Sequence, residues 1–234
     1  MKYLSVLIVA LMLFACNTNK NGNASAENEG KPTMVAQEAD IDRSELSVAT
    51  FAGGCFWCTE AVFERTKGVK DVVSGYTGGQ TKNPTYQSIG TGRTGHAEAV
   101  EVYYDSTIIT YPKLVEIFFV AHDPTQLNRQ GPDVGTQYRS DIFYRNETEK
   151  KIIEDHIQYL TEKEKYARKI MTKITPFEQF YIAEDYHQNY YELHPENPYI
   201  QNVSRPKVEK FLKIYKDTWV KEKYNGNGKM KMAN

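Results

Sequence analysis

Residues 53–58 (GGCFWC) join a strand-like run at 46–51 to a helix-like run at 59–65. A thiol at a helix N-terminus meets unpaired backbone N–H groups and the positive end of the helix dipole, and both favour its thiolate form. Gly53 and Gly54 permit a sharp turn that leaves the following sulfur uncrowded. The pattern therefore predicts a strand, a turn and a helix that together hold Cys55 as a nucleophile.

Cys58 lies one helical turn after Cys55, so a disulfide between the two is feasible. A Cys-x-x-Cys pair behind a glycine turn indicates redox or nucleophilic chemistry more often than packing, although a buried core is the alternative. Structural zinc is a further alternative, but the chain has no second cysteine pair and its histidines show no ligand spacing. Covalent haem attachment would require histidine at position 59, where the chain has Thr59.

The whole chain has 234 residues and a net charge of −1. This length suits one domain with appendages, and the charge argues against nucleic-acid binding. Strand and helix patterns are mixed without regular βαβ alternation, so we predict an α+β fold with helices on one mixed sheet. The domain is predicted at 46–217, followed by a polar tail at 218–234.

The N-terminal segment 1–15 is a predicted export signal, because Lys2 precedes an apolar run shorter than the roughly 20 residues that span a bilayer. The run ends at Cys16 in a sequence that resembles the lipobox of bacterial lipoproteins, so Cys16 is the predicted lipidation site. An ordinary signal peptide with an incidental cysteine is the alternative. Residues 16–45 form a predicted polar tether that would hold the domain about 30 Å from the membrane. The sequence thus predicts an exported protein, lipid-anchored in a bacterial cell envelope.

Residues 95–104 predict a strand in which Glu98, Val100 and Val102 share one face. A carboxyl beside two valines is either partly buried and protonated, which would make it a general acid, or solvated on a half-exposed sheet. The alternation alone does not choose between these two interpretations.

The remaining elements follow from periodicity and turn residues. Strands are predicted at 69–76, 138–145 and 170–174, and helices at 113–121, 147–165 and 203–216, the last after a turn at Arg205-Pro206. The polar segment 122–137 is long enough to indicate a functional loop. His187 lies among tyrosines and carboxylates, where a structural role is favoured over that of a ligand or base.

Several ordered motifs together resemble the A-type peptide methionine sulfoxide reductases. They are 54–57 (GCFW), 83–86 (NPTY), 95–100 (GHAEAV), 131–140 (GPDVGTQYRS) and 184–188 (EDYHQ), and the resemblance covers about residues 47–205. The family's fold, a single-domain two-layer α/β plait with a mixed sheet and long functional loops, is compatible with the predicted α+β class. The resemblance implies an oxidoreductase without a bound cofactor or metal that reduces methionine (S)-sulfoxide in oxidised proteins, in peptides and as the free amino acid.

The resemblance also implies a catalytic role for each matching residue. Cys55 would attack the sulfoxide sulfur, and Glu98 would protonate the sulfoxide oxygen. Tyr86 and Tyr138 would hydrogen-bond that oxygen as charge develops. Cys55 would be left as a sulfenic acid, the first step of cysteine oxidation.

Binding and resolution involve further residues. Phe56 and Trp57 would hold the substrate methyl group, and Asp133 would orient the substrate. Family members differ in where the resolving cysteine lies, and this chain has no cysteine after Cys58. We therefore expect a Cys55–Cys58 disulfide, reduced in turn by thioredoxin or a similar dithiol.

A membrane-tethered dithiol oxidoreductase of the thioredoxin type is the alternative function. It would share the Cys-x-x-Cys, and Thr175-Pro176 could imitate the proline that faces such a motif. It would not require Tyr86, Glu98 or Tyr138. In either case we expect a monomer.

Overall fold

The computed structural model describes residues 41–224. The predicted signal peptide, Cys16 and most of the predicted tether lie outside this range, as does the end of the predicted tail. Within residues 41–224, no helix has both the length and the apolar character needed to cross a membrane.

Strands and helices are mixed along the described chain. In order they are β1 (Ser47–Gly53), α1 (Phe56–Glu64), β2 (Val69–Thr77), α2 (Tyr86–Gly90), β3 (Ala97–Tyr104), α3 (Tyr111–Ala121), β4 (Arg129–Gln130), β5 (Asp133–Val134), β6 (Ser140–Tyr144), α4 (Glu147–Glu162), β7 (Lys173–Pro176), β8 (Phe180–Ile182), α5 (Tyr190–Leu193) and α6 (Arg205–Tyr215). Short 3₁₀ turns lie at Thr136–Tyr138, Asp185–His187 and Glu222–Tyr224, and a π-helical turn lies at Ile200–Ser204.

The main sheet has the strand order β7-β6-β1-β3-β2-β8. Its neighbouring strands are antiparallel except β6 and β7, which are parallel. The strands β4 and β5 form a separate hairpin inside the long loop. A mixed sheet with helices and a long structured loop confirms the predicted α+β class.

The helices cover one face of the sheet, where α1 and α3 pack on the strands and α6 packs on both helices. Phe51 from β1 stacks against Phe63 and Phe118, with ring centroids 5.0 and 5.1 Å apart. Val100 and Val102 from β3 complete this part of the core. Burial of each such side chain contributes about 1.5–3 kcal/mol.

The opposite face of the sheet carries a smaller apolar cluster. Ala97 and Ala99 of β3 point there and pack with Phe143. The alternation predicted for β3 is therefore confirmed. Since Glu98 alternates with these alanines, it points to the face that α1 covers.

Two strands begin later than predicted. The strand predicted at 138–145 is β6, which starts at Ser140 because Thr136–Tyr138 forms a 3₁₀ turn that closes the loop. The strand predicted at 170–174 is β7 at Lys173–Pro176, because that segment pairs in parallel with β6. Pro176 is tolerated there because β7 lies at a sheet edge. The other edge strand, β8, has no counterpart among the predicted strands.

The last helix begins without the turn predicted at Arg205-Pro206. The chain passes directly from the π-helical turn Ile200–Ser204 into α6. Pro206 lies at the start of α6, directly after the π-helical turn. The proline therefore lies within one continuous helical run rather than breaking the chain before it.

Residues 218–224 pack on the domain although they were predicted as part of a polar tail. Val220 forms a β-bridge with Thr66, and Tyr224 is buried. The guanidinium of Arg65 lies 4.6 Å from the Tyr224 ring centroid. The packed domain therefore extends beyond residue 217, because these residues cover a buried cation.

Candidate active site

The turn between β1 and α1 presents Cys55 at a helix N-terminus. The strand ends at Gly53, and α1 begins at Phe56, earlier than predicted, so Cys55 is the N-cap residue. Gly54 has a φ of +92°, and a Cβ there would lie 2.5 Å from the Cβ of Gln130 in β4. Only glycine suits both this backbone and the hairpin that packs over the turn.

Glu98 reaches from β3 to the start of α1. Its Oε2 accepts a 3.1 Å hydrogen bond from the N–H of Phe56, one of the free donors of the first helical turn. Glu98 is 1% exposed, and this burial raises the pKa of its carboxyl to about 8. The structure therefore supports the buried, protonated interpretation of Glu98 over the solvated one.

The two thiols are buried close to each other. Burial is the main reason why the pKa of Cys55 lies well above its usual range, and the neighbouring Cys58 and Glu98 raise this pKa further. The neighbouring Cys55 lowers the pKa of Cys58 to about 6, and Lys207 and Ser204, which contact the Cys58 sulfur, act in the same direction. The helix N-terminus favours a thiolate at Cys55, whereas burial beside Cys58 and Glu98 opposes ionisation of Cys55 in the resting protein. The N–H of the first helical residue goes to Glu98 instead.

Tyr86 and Tyr138 approach the site from the start of α2 and from the 3₁₀ turn after β5. Their phenols lie close to each other. Burial and then the charge of Glu98 raise the pKa of Tyr86 to about 12, and that of Tyr138 rises further. Glu184 fixes α2 by accepting a 2.9 Å hydrogen bond from the Tyr86 N–H. Both phenols therefore remain hydrogen-bond donors at neutral pH.

Phe56 and Trp57 belong to a packed aromatic wall. The Trp57 ring stacks on Tyr190 with centroids 3.8 Å apart, and its Nε1–H donates a 3.2 Å hydrogen bond to Nδ1 of His187. The Phe56 ring centroid lies 4.9 Å from that of His187. His187 is buried among these rings, in the structural position predicted for it.

Tyr199 is a site residue that the sequence reasoning missed. Its hydroxyl donates a 2.5 Å hydrogen bond to Oδ2 of Asp133 and is also within hydrogen-bonding range of Cys55. Tyr199 directly follows Pro198, a signal for the start of a helix, but no local pattern indicates that the phenol faces a sulfur. Asp133 therefore acts on the site through Tyr199.

The structure brings together the predicted site residues of the domain, namely Cys55, Phe56, Trp57, Cys58, Tyr86, Glu98, Asp133 and Tyr138. Cys16 lies outside the described residues. Within residues 41–224, no three His, Cys, Asp or Glu side chains are grouped so that they could hold a metal ion. A thiol pair, a protonated carboxyl, two phenols and an aromatic wall suit the reduction of a small polar oxide that carries an apolar group.

Comparison with known proteins agrees with this arrangement. The family model described as peptide methionine sulfoxide reductase matches residues 47–219. A peptide methionine sulfoxide reductase MsrA of Saccharolobus solfataricus is 54% identical over 172 residues, 74% of this chain and 96% of the relative. The MsrA of Pasteurella multocida is 50% identical over 171 residues, 73% of this chain and 97% of the relative.

Two solved structures are similar in fold as well as in sequence. Methionine sulfoxide reductase A of Corynebacterium diphtheriae has a TM-score of 0.59 and 38% identity, covering 66% of this chain and 77% of its own. Mxr1 of Saccharomyces cerevisiae in its reduced form has a TM-score of 0.60 and 33% identity, covering 70% of this chain and 94% of its own. Because the family model matches most of its length and the two MsrA relatives above share half or more of their aligned residues with it, the chain belongs to the MsrA family of peptide methionine sulfoxide reductases.

Proposed function

We propose that the protein reduces methionine (S)-sulfoxide to methionine in oxidised proteins and peptides, and in the free amino acid. The observation that carries this proposal is the 3.1 Å hydrogen bond between Glu98 and the N–H of the residue after Cys55. It brings a protonated acid and a sulfur nucleophile to the same helix N-terminus. Reduction of a sulfoxide needs both, because the sulfur is attacked while the oxygen gains a proton.

In the first half-reaction, the Cys55 thiolate attacks the sulfoxide sulfur, and Glu98 gives its proton to the oxygen. Tyr86 and Tyr138 donate hydrogen bonds to that oxygen as it gains charge. The oxygen is transferred to the Cys55 sulfur, which becomes a sulfenic acid, and methionine leaves reduced by two electrons.

Substrate orientation comes from three groups. Phe56 and Trp57 form the apolar wall for the methyl group, and Asp133 acts through Tyr199 beside the nucleophile. The acid, the nucleophile and the wall act from fixed directions around one tetrahedral sulfur. Such a site discriminates between sulfoxide epimers, and the S epimer is the proposed substrate.

In the second half-reaction, Cys58 attacks the Cys55 sulfenic acid, and water leaves as the disulfide forms. The support for this step is that both cysteines are free and buried, with Cys55 at the N-cap of α1 and Cys58 in its first turn. Thioredoxin or a similar dithiol then reduces the disulfide by thiol exchange. Cys58→Ser should therefore lose multiple turnover with a protein dithiol and accumulate Cys55 sulfenic acid. Full turnover by this variant would contradict the resolving role.

The alternative of a thioredoxin-type oxidoreductase lacks support. Pro176 pairs with Tyr144, whereas Gly53 beside the cysteine turn pairs with Ser140, so Pro176 lies at the other end of β6 from the thiols. It does not face Cys55 as the alternative requires. The family match agrees with this conclusion.

The test is reduction of a peptide that carries resolved S or R methionine sulfoxide, with dithiothreitol as reductant. We expect turnover of the S epimer alone, and its loss in Cys55→Ser. Insulin disulfide reduction is the parallel control. Turnover of neither epimer together with insulin reduction would contradict the proposed function.

For the location, we propose export and lipidation at Cys16. The support is the short apolar run after Lys2 and its end at a cysteine, as in a lipobox. A tethered reductase would repair oxidised proteins of the cell envelope. Expressed in a bacterial host, the full chain should enter the membrane fraction, and Cys16→Ala should release it. Equal membrane retention of both forms would contradict lipidation.

A further inference from the structure

Cys58 lies in a polar pocket made by the start of α6. Its Sγ is 3.1 Å from Oγ of Ser204 and 3.6 Å from Nζ of Lys207. Ser204 is fully buried, and the Lys207 ammonium pairs with no carboxylate in the described part of the chain. The group that this cation faces is therefore the sulfur of Cys58.

Cys55 has different surroundings. It lies near Cys58 in α1, near the Tyr199 phenol before the π-helical turn, and within the electrostatic influence of the Glu98 carboxyl from β3. Together with Lys207 from α6 and the phenols of Tyr86 and Tyr138, these are the titratable groups around the two sulfurs. The one cation among them contacts Cys58, so a negative charge shared by the pair is stabilised on Cys58.

We propose that Lys207 and Ser204 hold Cys58 as the thiolate of the resting protein, and that this thiolate accepts the proton of Cys55 during catalysis. Cys58 then acts as a base before it acts as the resolving thiol, and Lys207 is a positioning residue. This inference rests on the proposed function. The lowered pKa of Cys58 and the raised pKa of Cys55 agree with the geometry.

The protons and electrons balance. At rest Cys55 and Glu98 carry one proton each, and Cys58 carries none. The proton of Cys55 passes to Cys58, the Cys55 thiolate attacks the sulfoxide sulfur, and Glu98 protonates the oxygen. The hydroxyl then passes from the substrate sulfur to the Cys55 sulfur as the bond between the two sulfurs breaks, and methionine leaves reduced by two electrons. The S–S bond then forms as the S–O bond breaks, the hydroxyl leaves as water with the proton of Cys58, and Glu98 regains a proton from solvent.

The π-helical turn Ile200–Ser204 supplies a partner for each sulfur. Tyr199, just before the turn, faces Cys55, and Ser204, at its end, faces Cys58. Such turns are rare and often occur at functional sites. One local distortion thus places the phenol and the hydroxyl on two neighbouring thiols.

The ionisation is tested without substrate, by pH titration of the ultraviolet thiolate absorbance of the reduced full-length protein. We expect a midpoint at about 6 that is lost in Cys58→Ser, and in Cys55→Ser a midpoint still below the usual range of a thiol, because Lys207 and Ser204 continue to face Cys58. Lys207→Met should raise the midpoint by at least about one pH unit. Lys210→Met, an exposed lysine of the same helix, is the matched control and should leave it unchanged. A thiolate that disappears with Cys55 alone, or a midpoint unaffected by Lys207→Met, would overturn the proposal.

The base role is tested by the first turnover, measured as methionine formed without any external reductant. At neutral pH, Cys58→Ser should form methionine at least about tenfold more slowly than the unchanged protein. Lys207→Met should move the acidic limb of the pH-rate profile by the same shift as the thiolate midpoint. An unchanged first turnover in Cys58→Ser would overturn the base role. Normal thiolate titration with no methionine from either epimer would instead refute the proposed function, so the two failures are distinguishable.

Discussion

Glu98→Gln is expected to make the protein more stable and less active at the same time. The folded protein keeps this carboxyl protonated up to about pH 8, whereas its ordinary pKa is 4.5. Between these values the folded state binds more protons than the unfolded state. The contribution of Glu98 to stability is therefore complete below its ordinary pKa and is lost as the pH rises towards the raised one. At pH 7 the loss amounts to about 3 kcal/mol.

Glutamine has nearly the same shape as protonated glutamate but does not ionise. Glu98→Gln should therefore increase the free energy of unfolding by about 3 kcal/mol at pH 7, with little increase near pH 4.5. The amide cannot transfer a proton to the substrate oxygen. The first half-reaction should accordingly slow by about 10²- to 10⁴-fold.

Two measurements check this prediction. Urea unfolding followed by tryptophan fluorescence at several pH values gives the stability difference, and rapid-quench analysis of released methionine gives the rate. A stability difference that does not grow between pH 5 and pH 8 would refute the burial argument. A rate within about tenfold of the unchanged protein would refute the role of Glu98 as the acid.

Three further predictions concern the surroundings of the site. Gly54→Ala should lower the free energy of unfolding by about 3 kcal/mol, because the backbone φ is +92° and the new Cβ would lie 2.5 Å from the Cβ of Gln130. An unchanged urea midpoint would contradict this prediction. Tyr199→Phe removes the hydrogen bond to Asp133 and should lower kcat/KM about tenfold with little change in stability, and an unaltered kcat/KM would show that this bond does not assist the reaction. A chain that ends at residue 217 should unfold about 3 kcal/mol more easily, because it lacks buried Tyr224, and equal stability would place the domain end where the sequence predicts it.

The fold class could be predicted because the main elements carry their own local patterns. β3 alternates between two faces, and Pro112 marks the first turn of α3. The edge strands β7 and β8 are short and partly exposed, so the local pattern misplaced the start of β7 and did not indicate β8. Their positions depend on pairing with distant strands, which a local window does not contain.

The site residues that lie in recognisable motifs could be predicted from the sequence. Those that only the fold brings to the site could not. Cys55 and Glu98 lie in recognisable segments, but Ser204 comes 146 residues after Cys58, on a helix whose pattern indicates only its apolar face. The ionisation of Cys55 likewise depends on groups outside its own segment. The helix dipole is a local property, whereas burial and the Glu98 carboxyl come from the rest of the domain.

The most direct test of the account is mass spectrometry of the reduced protein after one equivalent of peptide methionine (S)-sulfoxide, with no external reductant. We predict one methionine formed per chain and a loss of two hydrogens, located as a Cys55–Cys58 disulfide. In Cys58→Ser we predict the gain of one oxygen on Cys55 instead. Oxidation that appears first on Cys58, or methionine formed with neither sulfur changed, would contradict the account.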